Sequence, residues 1–219
     1  MPSDIKPSCV ICAWRGSCNK KFSITDPSRC PEYTLDLSIK ELPGKQGVKL
    51  LIEGMPGSGK TTFIERLITR LDVRAGGFFT REIKEKGERR GFRIITVDKR
   101  EGVLAHEDIK GGLRVGRYGV NLEDLENIGV ASILQALKED DLIVIDEIGA
   151  MELFSNHFKE VVEIALGSMK PLVATVSTEG PQFVDDVKHA PGVRLLTLTK
   201  DNHDALLDEA VSILKGGGI

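Results

Sequence analysis

From Val48 onward, short apolar runs alternate with amphipathic stretches. VKLLIE (48–53) is a brief apolar run that stops at a glycine, which predicts a buried strand. Between Thr61 and Leu71 the apolar residues are Phe63, Ile64, Leu67, Ile68 and Leu71. Their three- and four-residue spacing predicts a helix with one buried face. GFFTREI (77–83) and GFRIITVD (91–98) flank the charged, glycine-containing turn KEKGERR, a hairpin pattern. Asn121 to Leu137 reads as a helix carrying Leu122, Leu125, Ile128, Leu134 and Leu137, with Asn121 placed to cap it.

LIVID (142–146) predicts a second buried strand. Ser155 is placed to cap a helix bearing Phe158, Val161, Val162 and Leu166. LVATVS (172–177) and VRLLTL (193–198) predict further strands, and a last helix runs from about Asp204 to Leu214. Strands separated by helices imply an α/β fold: a mainly parallel sheet covered on both faces, here with an antiparallel hairpin added.

Composition changes this picture at the N-terminus. All four cysteines and the single tryptophan, Trp14, fall within the first 30 residues. The Pro- and Gly-containing stretch ELPGKQG (41–47) follows, so we expect a small module at 1–44 and a main domain at 45–219. The net charge of −3 excludes the basic excess of a typical nucleic-acid binder. No apolar run reaches the ~20 residues of a membrane helix, and the start shows no signal-peptide pattern. These features predict a cytoplasmic protein, whose thiols are normally reduced. Oligomeric state is left open by the sequence.

The segment Gly54, Met55, Pro56, Gly57, Ser58, Gly59, Lys60, Thr61 fits G-x-x-x-x-G-K-[ST] without a mismatch, and Thr62 extends it. Its glycines let successive backbone N–H groups face phosphates, and the helix that follows adds its positive end. Lys60 is expected on the β and γ phosphates, and the Thr61 hydroxyl on Mg²⁺. The strand LIVID ends in Asp146, a candidate Mg²⁺ ligand. Glu147 is expected on the other side of the strand end, where it could polarise an attacking water. Together these predict a P-loop enzyme acting on a nucleoside triphosphate.

Taken together, GMPGSGKTT (54–62), GFFTREI (77–83), RGFRIITVD (90–98), VGRYGVNLEDLE (115–126), IDEIGAMELFS (145–155) and VATVSTEG (173–180) resemble one family. It is the family of small nucleoside-triphosphatases first characterised from thermophiles, with a vertebrate relative described as cancer-related. The resemblance spans about 48–215. It implies the P-loop class with an additional strand and a catalytic glutamate, and slow hydrolysis of several nucleoside triphosphates. It carries Lys60, Thr61, Asp146 and Glu147 in the roles given above. Two positions depart from the family pattern: Ala150 stands where proline is usual, and His203 where arginine is usual.

Other residues carry weaker signals. Thr80, Arg81 and Glu82, with Arg89, Arg90 and Arg117, are candidates for γ-phosphate sensing or charge neutralisation, or ordinary surface charges. Thr175 and Ser177 end a predicted strand and could sense phosphate or merely fill it. His106, His157 and His189 lack metal-ligand spacing and read as surface or packing residues.

Cys9, Cys12, Cys18 and Cys30 lie in a stretch too short for its own core. Four thiolates suit Zn²⁺ or an iron–sulphur cluster, and free thiols or a redox pair are the bland alternatives. Such a module could also contact a protein partner. The resemblance does not reach it. A small-molecule or nucleoside kinase would need an acceptor pocket, and no lid motif for one is visible. A switch whose slow hydrolysis times a partner interaction, with the cysteine module sensing redox state or metal, is the other alternative.

Overall fold

The computed structural model describes residues 47–217. The cysteines at 9, 12, 18 and 30 and the proposed boundary near residue 45 lie outside them. Nine strands form one sheet among the described residues, in the order β5-β6-β4-β3-β2-β7-β8-β1-β9. They are β1 (Lys49–Glu53), β2 (Ala75–Glu85), β3 (Glu88–Thr96), β4 (Glu101–His106), β5 (Arg114–Val115), β6 (Tyr118–Val120), β7 (Leu142–Ile148), β8 (Leu172–Val176) and β9 (Val193–Thr197).

The five strands β2, β7, β8, β1 and β9 pair in parallel. Strand β8 lies between β1 and β7, which is the additional strand the resemblance implies. The predicted hairpin is present as β2 and β3, and it continues into an antiparallel wing through β4, β6 and β5. That wing was not anticipated, because its strands are short and their residues do not alternate cleanly.

Helices cover both faces. They are α1 (Lys60–Leu71), α2 (Leu122–Asp124), α3 (Ala131–Glu139), α4 (Asn156–Gly167), α5 (Gln182–Lys188) and α6 (His203–Gly216). Alternate strand residues go to opposite faces. Leu50 and Ile52 of β1, Leu142 and Val144 of β7 and Val173 of β8 pack with Phe63, Ile64 and Leu67 of α1 and Leu206, Leu207, Ala210 and Leu214 of α6. Each fully buried Val, Leu, Ile or Phe among them contributes about 1.5–3 kcal/mol by leaving water. On the opposite face Phe78 meets Phe158 of α4 with ring centroids 6.3 Å apart.

Both anticipated caps form. Asn121 accepts from the Asp124 N–H at 3.2 Å, and Ser155 accepts from the Phe158 N–H at 3.0 Å. The helix expected over 121–137 is not continuous, however. A π-helical turn, Leu125–Val130, separates α2 from α3. The wider turn inserts extra backbone and resets the buried stripe, which then runs through Val130, Ile133, Ala136 and Leu137.

Candidate active site

Strand alternation brings the site together. Asp146 lies two residues after Val144, and Thr175 two after Val173, so both follow those residues to the α1 face. Parallel strands also end at one edge, where open α/β sheets bind ligands. The 54–59 loop joins β1 to α1 at that edge. Gly57 and Gly59 have φ of 77° and 89°, a region that L side chains rarely adopt. A Cβ at Gly54 would come within 2.6 Å of Ser58 Oγ and 2.7 Å of the Leu198 carbonyl oxygen, so the loop start must be bare.

The start of α1 has no side-chain cap and no acidic residue in its first turn. Its N–H groups and its positive dipole end are therefore available to an anion. Ser58 Oγ is buried without a hydrogen-bond partner. Lys60 Nζ donates to the Gly54 carbonyl at 2.9 Å and lies 4.0 Å from Glu147 Oε2. The lysine thus bends over its own loop, beside the candidate base.

Asp146 is 1 % exposed. Thr61 Oγ1 donates to its Oδ2 and Thr175 Oγ1 to its Oδ1, each at 2.6 Å, and the Thr80 backbone N–H also donates to the carboxylate. Burial pushes this carboxyl up, and the Thr175, Thr61 and Thr80 donors and the Lys60 charge oppose that rise. Glu147 is also pushed up by burial, with the Lys60 ammonium opposing and the Asp146 charge adding to it.

Glu147 does not stand on the far side of the strand end as alternation predicts. The pairing of β7 with β8 breaks between Ile145 and Ile148, so strict alternation lapses there. The carboxyl instead comes to the Lys60 side.

The donors fit a hard cation. Thr61 and Asp146 offer oxygen only, which suits Mg²⁺ over softer metals. Among the described residues no group of three or more His, Cys, Asp or Glu side chains is set to hold a metal. Mg²⁺ commonly takes one or two protein oxygens and completes its shell with phosphates and water.

Comparison with known proteins decides the family. The NTPase family matches residues 49–211. The nucleoside-triphosphatase THEP1 of Thermotoga sp. (strain RQ2) is 50% identical over 168 residues, covering 77% of this chain and 96% of that protein. The chain belongs to the THEP1-type nucleoside-triphosphatase family. The crystal structure of THEP1 from the hyperthermophile Aquifex aeolicus is similar, with a TM-score of 0.71 and 35% identity, covering 77% of this chain and 99% of that one. The solution structure of a human cancer-related nucleoside triphosphatase follows, at a TM-score of 0.67 and 27% identity over 78% of this chain and all of that one. Membership makes this chain a P-loop hydrolase of nucleoside triphosphates.

Within this THEP1-type frame the weaker candidates sort themselves. Thr175 belongs to the site through Asp146, and Thr80 through its backbone. The Arg81 side chain pairs with Glu65 of α1. Arg89 pairs with Glu82 at 2.9 Å and with the Tyr118 hydroxyl at 3.1 Å, Arg90 with Glu107, and Arg117 with the Tyr118 hydroxyl at 3.1 Å. These contacts tie the hairpin to α1 and hold the wing together. His106 Nδ1 accepts from the Asp108 N–H, and His189 Nδ1 lies 2.8 Å from the Asp185 carbonyl oxygen, both local contacts.

His203, the departure from the usual arginine, donates from Nε2 to the Ser58 carbonyl at 2.8 Å. It lies against Gly59, where a Cβ would come within 2.9 Å of the ring. Glu152 was missed. It is buried, it approaches Gly149 together with Glu147, and in sequence it is flanked by Met151, Leu153 and Phe154. A carboxylate inside an apolar triplet was the available signal, since charged side chains are rarely buried without a role.

No helix among the described residues is long and apolar enough to cross a membrane.

Proposed function

We propose that this chain hydrolyses a Mg²⁺-bound nucleoside triphosphate to the diphosphate and phosphate with Glu147 as general base. The observation that carries this is the approach of Glu147 Oε2 to Lys60 Nζ at 4.0 Å, beside an Asp146 clamped by Thr61 and Thr175. Residues 54–62 and the first turn of α1 receive the phosphates through backbone N–H groups. Lys60 exchanges the Gly54 carbonyl for β and γ phosphate oxygens, a stronger charge-assisted contact. Thr61 and Asp146 would hold Mg²⁺, which when bound neutralises phosphate charge.

Glu147 accepts one proton from water as the water oxygen bonds to the γ phosphorus. The bond from that phosphorus to the β–γ bridging oxygen breaks, and the diphosphate leaves with the bonding pair. The Lys60 charge stabilises the leaving group and opposes the rise that burial gives the Glu147 carboxyl.

Phosphate release without any acceptor molecule tests the reaction class. We expect the parent protein to release phosphate and Lys60→Ala to lose tight nucleotide binding and turnover together. Near-parental hydrolysis by Lys60→Ala would overturn the phosphate-cradle assignment.

On spacing alone, Cys9, Cys12, Cys18 and Cys30 are proposed as a Zn²⁺ or iron–sulphur site in a module at 1–44. Metal analysis and a visible spectrum of anaerobically purified protein distinguish the two, because Zn²⁺ is colourless. Metal-free protein would leave the thiols as redox groups or bystanders.

A further inference from the structure

Glu152 has no part in the hydrolytic scheme, yet its side chain is 4 % exposed and sits against that scheme's base. It begins the short 3₁₀ turn Glu152–Phe154 that follows β7. Its carboxyl receives the backbone N–H groups of Glu152 and Gly149. The Leu153 N–H donates back to the Gly149 carbonyl at 3.1 Å, so the turn 149–153 closes on both sides. Gly149 stands between the two glutamates. A Cβ there would meet Glu152 Oε2 at 3.2 Å and Glu147 Oε1 at 3.4 Å. Two carboxyl groups thus converge on one bare Cα, one of them buried inside the protein.

From this juxtaposition we infer that Glu152 is a positioning residue for the water-activating Glu147: it fixes the 149–153 turn and walls off the interior behind Glu147. The inference rests on the assignment of Glu147 as the base. Among the described residues, the contact that draws Glu147 to the Lys60 side is a 4.0 Å charge contact, and its strand pairing is broken at that point. Something must keep its carboxyl from swinging inward. Glu152 fills that volume, and its acceptor oxygens are already committed to two N–H groups. The burial that pushes its pKa up to about 8 also makes that inward side unfavourable for a second anion. A base held within a small tolerance is worth a large rate factor, because misplacement by about 1 Å can cost ~10²-fold.

The test compares Glu152→Ala, Glu152→Gln, Glu147→Gln and the double variant Glu147→Gln/Glu152→Ala. Each is assayed for kcat and for equilibrium binding of Mg²⁺-nucleotide. Glu152→Ala is expected to lower kcat at least ~10-fold with Kd within about 3-fold of the parent, since it acts on the chemical step alone. Glu152→Gln keeps an oxygen for the two N–H groups and is expected to retain at least about a third of parental kcat. The double variant is expected to be no slower than Glu147→Gln, because a residue acting through the base has nothing left to position.

Parental kcat in Glu152→Ala, or equal losses in kcat and affinity, would overturn the inference, as would additive losses in the double variant. If Glu152→Ala does not fold, Glu152→Asp withdraws the carboxyl by one methylene and must show the same split between kcat and Kd. Parental turnover in Glu147→Gln would overturn the base assignment together with this inference. A slow Glu147→Gln with an unaffected Glu152→Ala overturns the role of Glu152 alone.

Discussion

Thr175 Oγ1 donates to Asp146 Oδ1 at 2.6 Å, from a strand that lies next to the one carrying the aspartate. The contact gives strand β8 a function beyond packing. It supplies a donor to one carboxylate oxygen while Thr61 of α1 takes the other. The aspartate is therefore oriented before any cation arrives.

Removing that donor gives the first prediction. Thr175→Val keeps the shape but leaves a buried carboxylate short of one partner. We expect a loss of about 1–3 kcal/mol in a urea denaturation series. The Mg²⁺ concentration for half-maximal turnover should rise about ten-fold, the lower end for losing a residue that orients a metal ligand. An unchanged Mg²⁺ titration would remove Thr175 from the site.

His203 supports the loop from behind, through the Ser58 carbonyl. One such hydrogen bond is worth about 0.5–1.5 kcal/mol, or roughly 3–10-fold in an equilibrium. His203→Ala should therefore weaken nucleotide binding by that factor while kcat at saturation changes less. Equal affinity in the two proteins would show that the loop holds its form without the ring.

Glu152 makes stability depend on pH. Its folded-state pKa of about 8 lies above the ordinary glutamate value of 4.5. Between those limits the folded state binds more protons than the unfolded state, so stability falls as pH rises through the window. The slope contributed is at most about 1.4 kcal/mol per pH unit. Glu152→Gln is neutral throughout and should lose less stability than the parent between pH 5 and pH 8. Parallel urea midpoints for the two proteins over this range would contradict the assignment.

Much of this arrangement was legible beforehand, for reasons visible in particular residues. Strands β1, β7 and β8 are buried on both faces, so they read as near-continuous apolar runs. The phosphate loop declared itself because each glycine and Lys60 has a fixed task at a fixed spacing. Asn121 and Ser155 were recognisable as caps because their side chains act locally. Long-range and irregular features were hidden. The two-residue strand β5 and the three-residue β6 have no period to detect. Helix α5, Gln182–Lys188, is too short to show a full apolar stripe. The side taken by Glu147 depends on a break in pairing with a strand 24 residues downstream of β7's own end. Glu152 and Glu147 meet across Gly149, a juxtaposition that no local rule reports.

The measurement that bears most directly on the account is single-turnover hydrolysis of Mg²⁺-nucleotide by Glu147→Gln, alongside equilibrium binding. The amide keeps the size of the side chain and cannot accept a proton well. Binding should stay within about 3-fold of the parent while the hydrolysis rate falls at least ~10²-fold, the usual scale for removing a general base. Hydrolysis at the parental rate would place the base elsewhere and contradict the mechanism built on the Lys60–Glu147 approach.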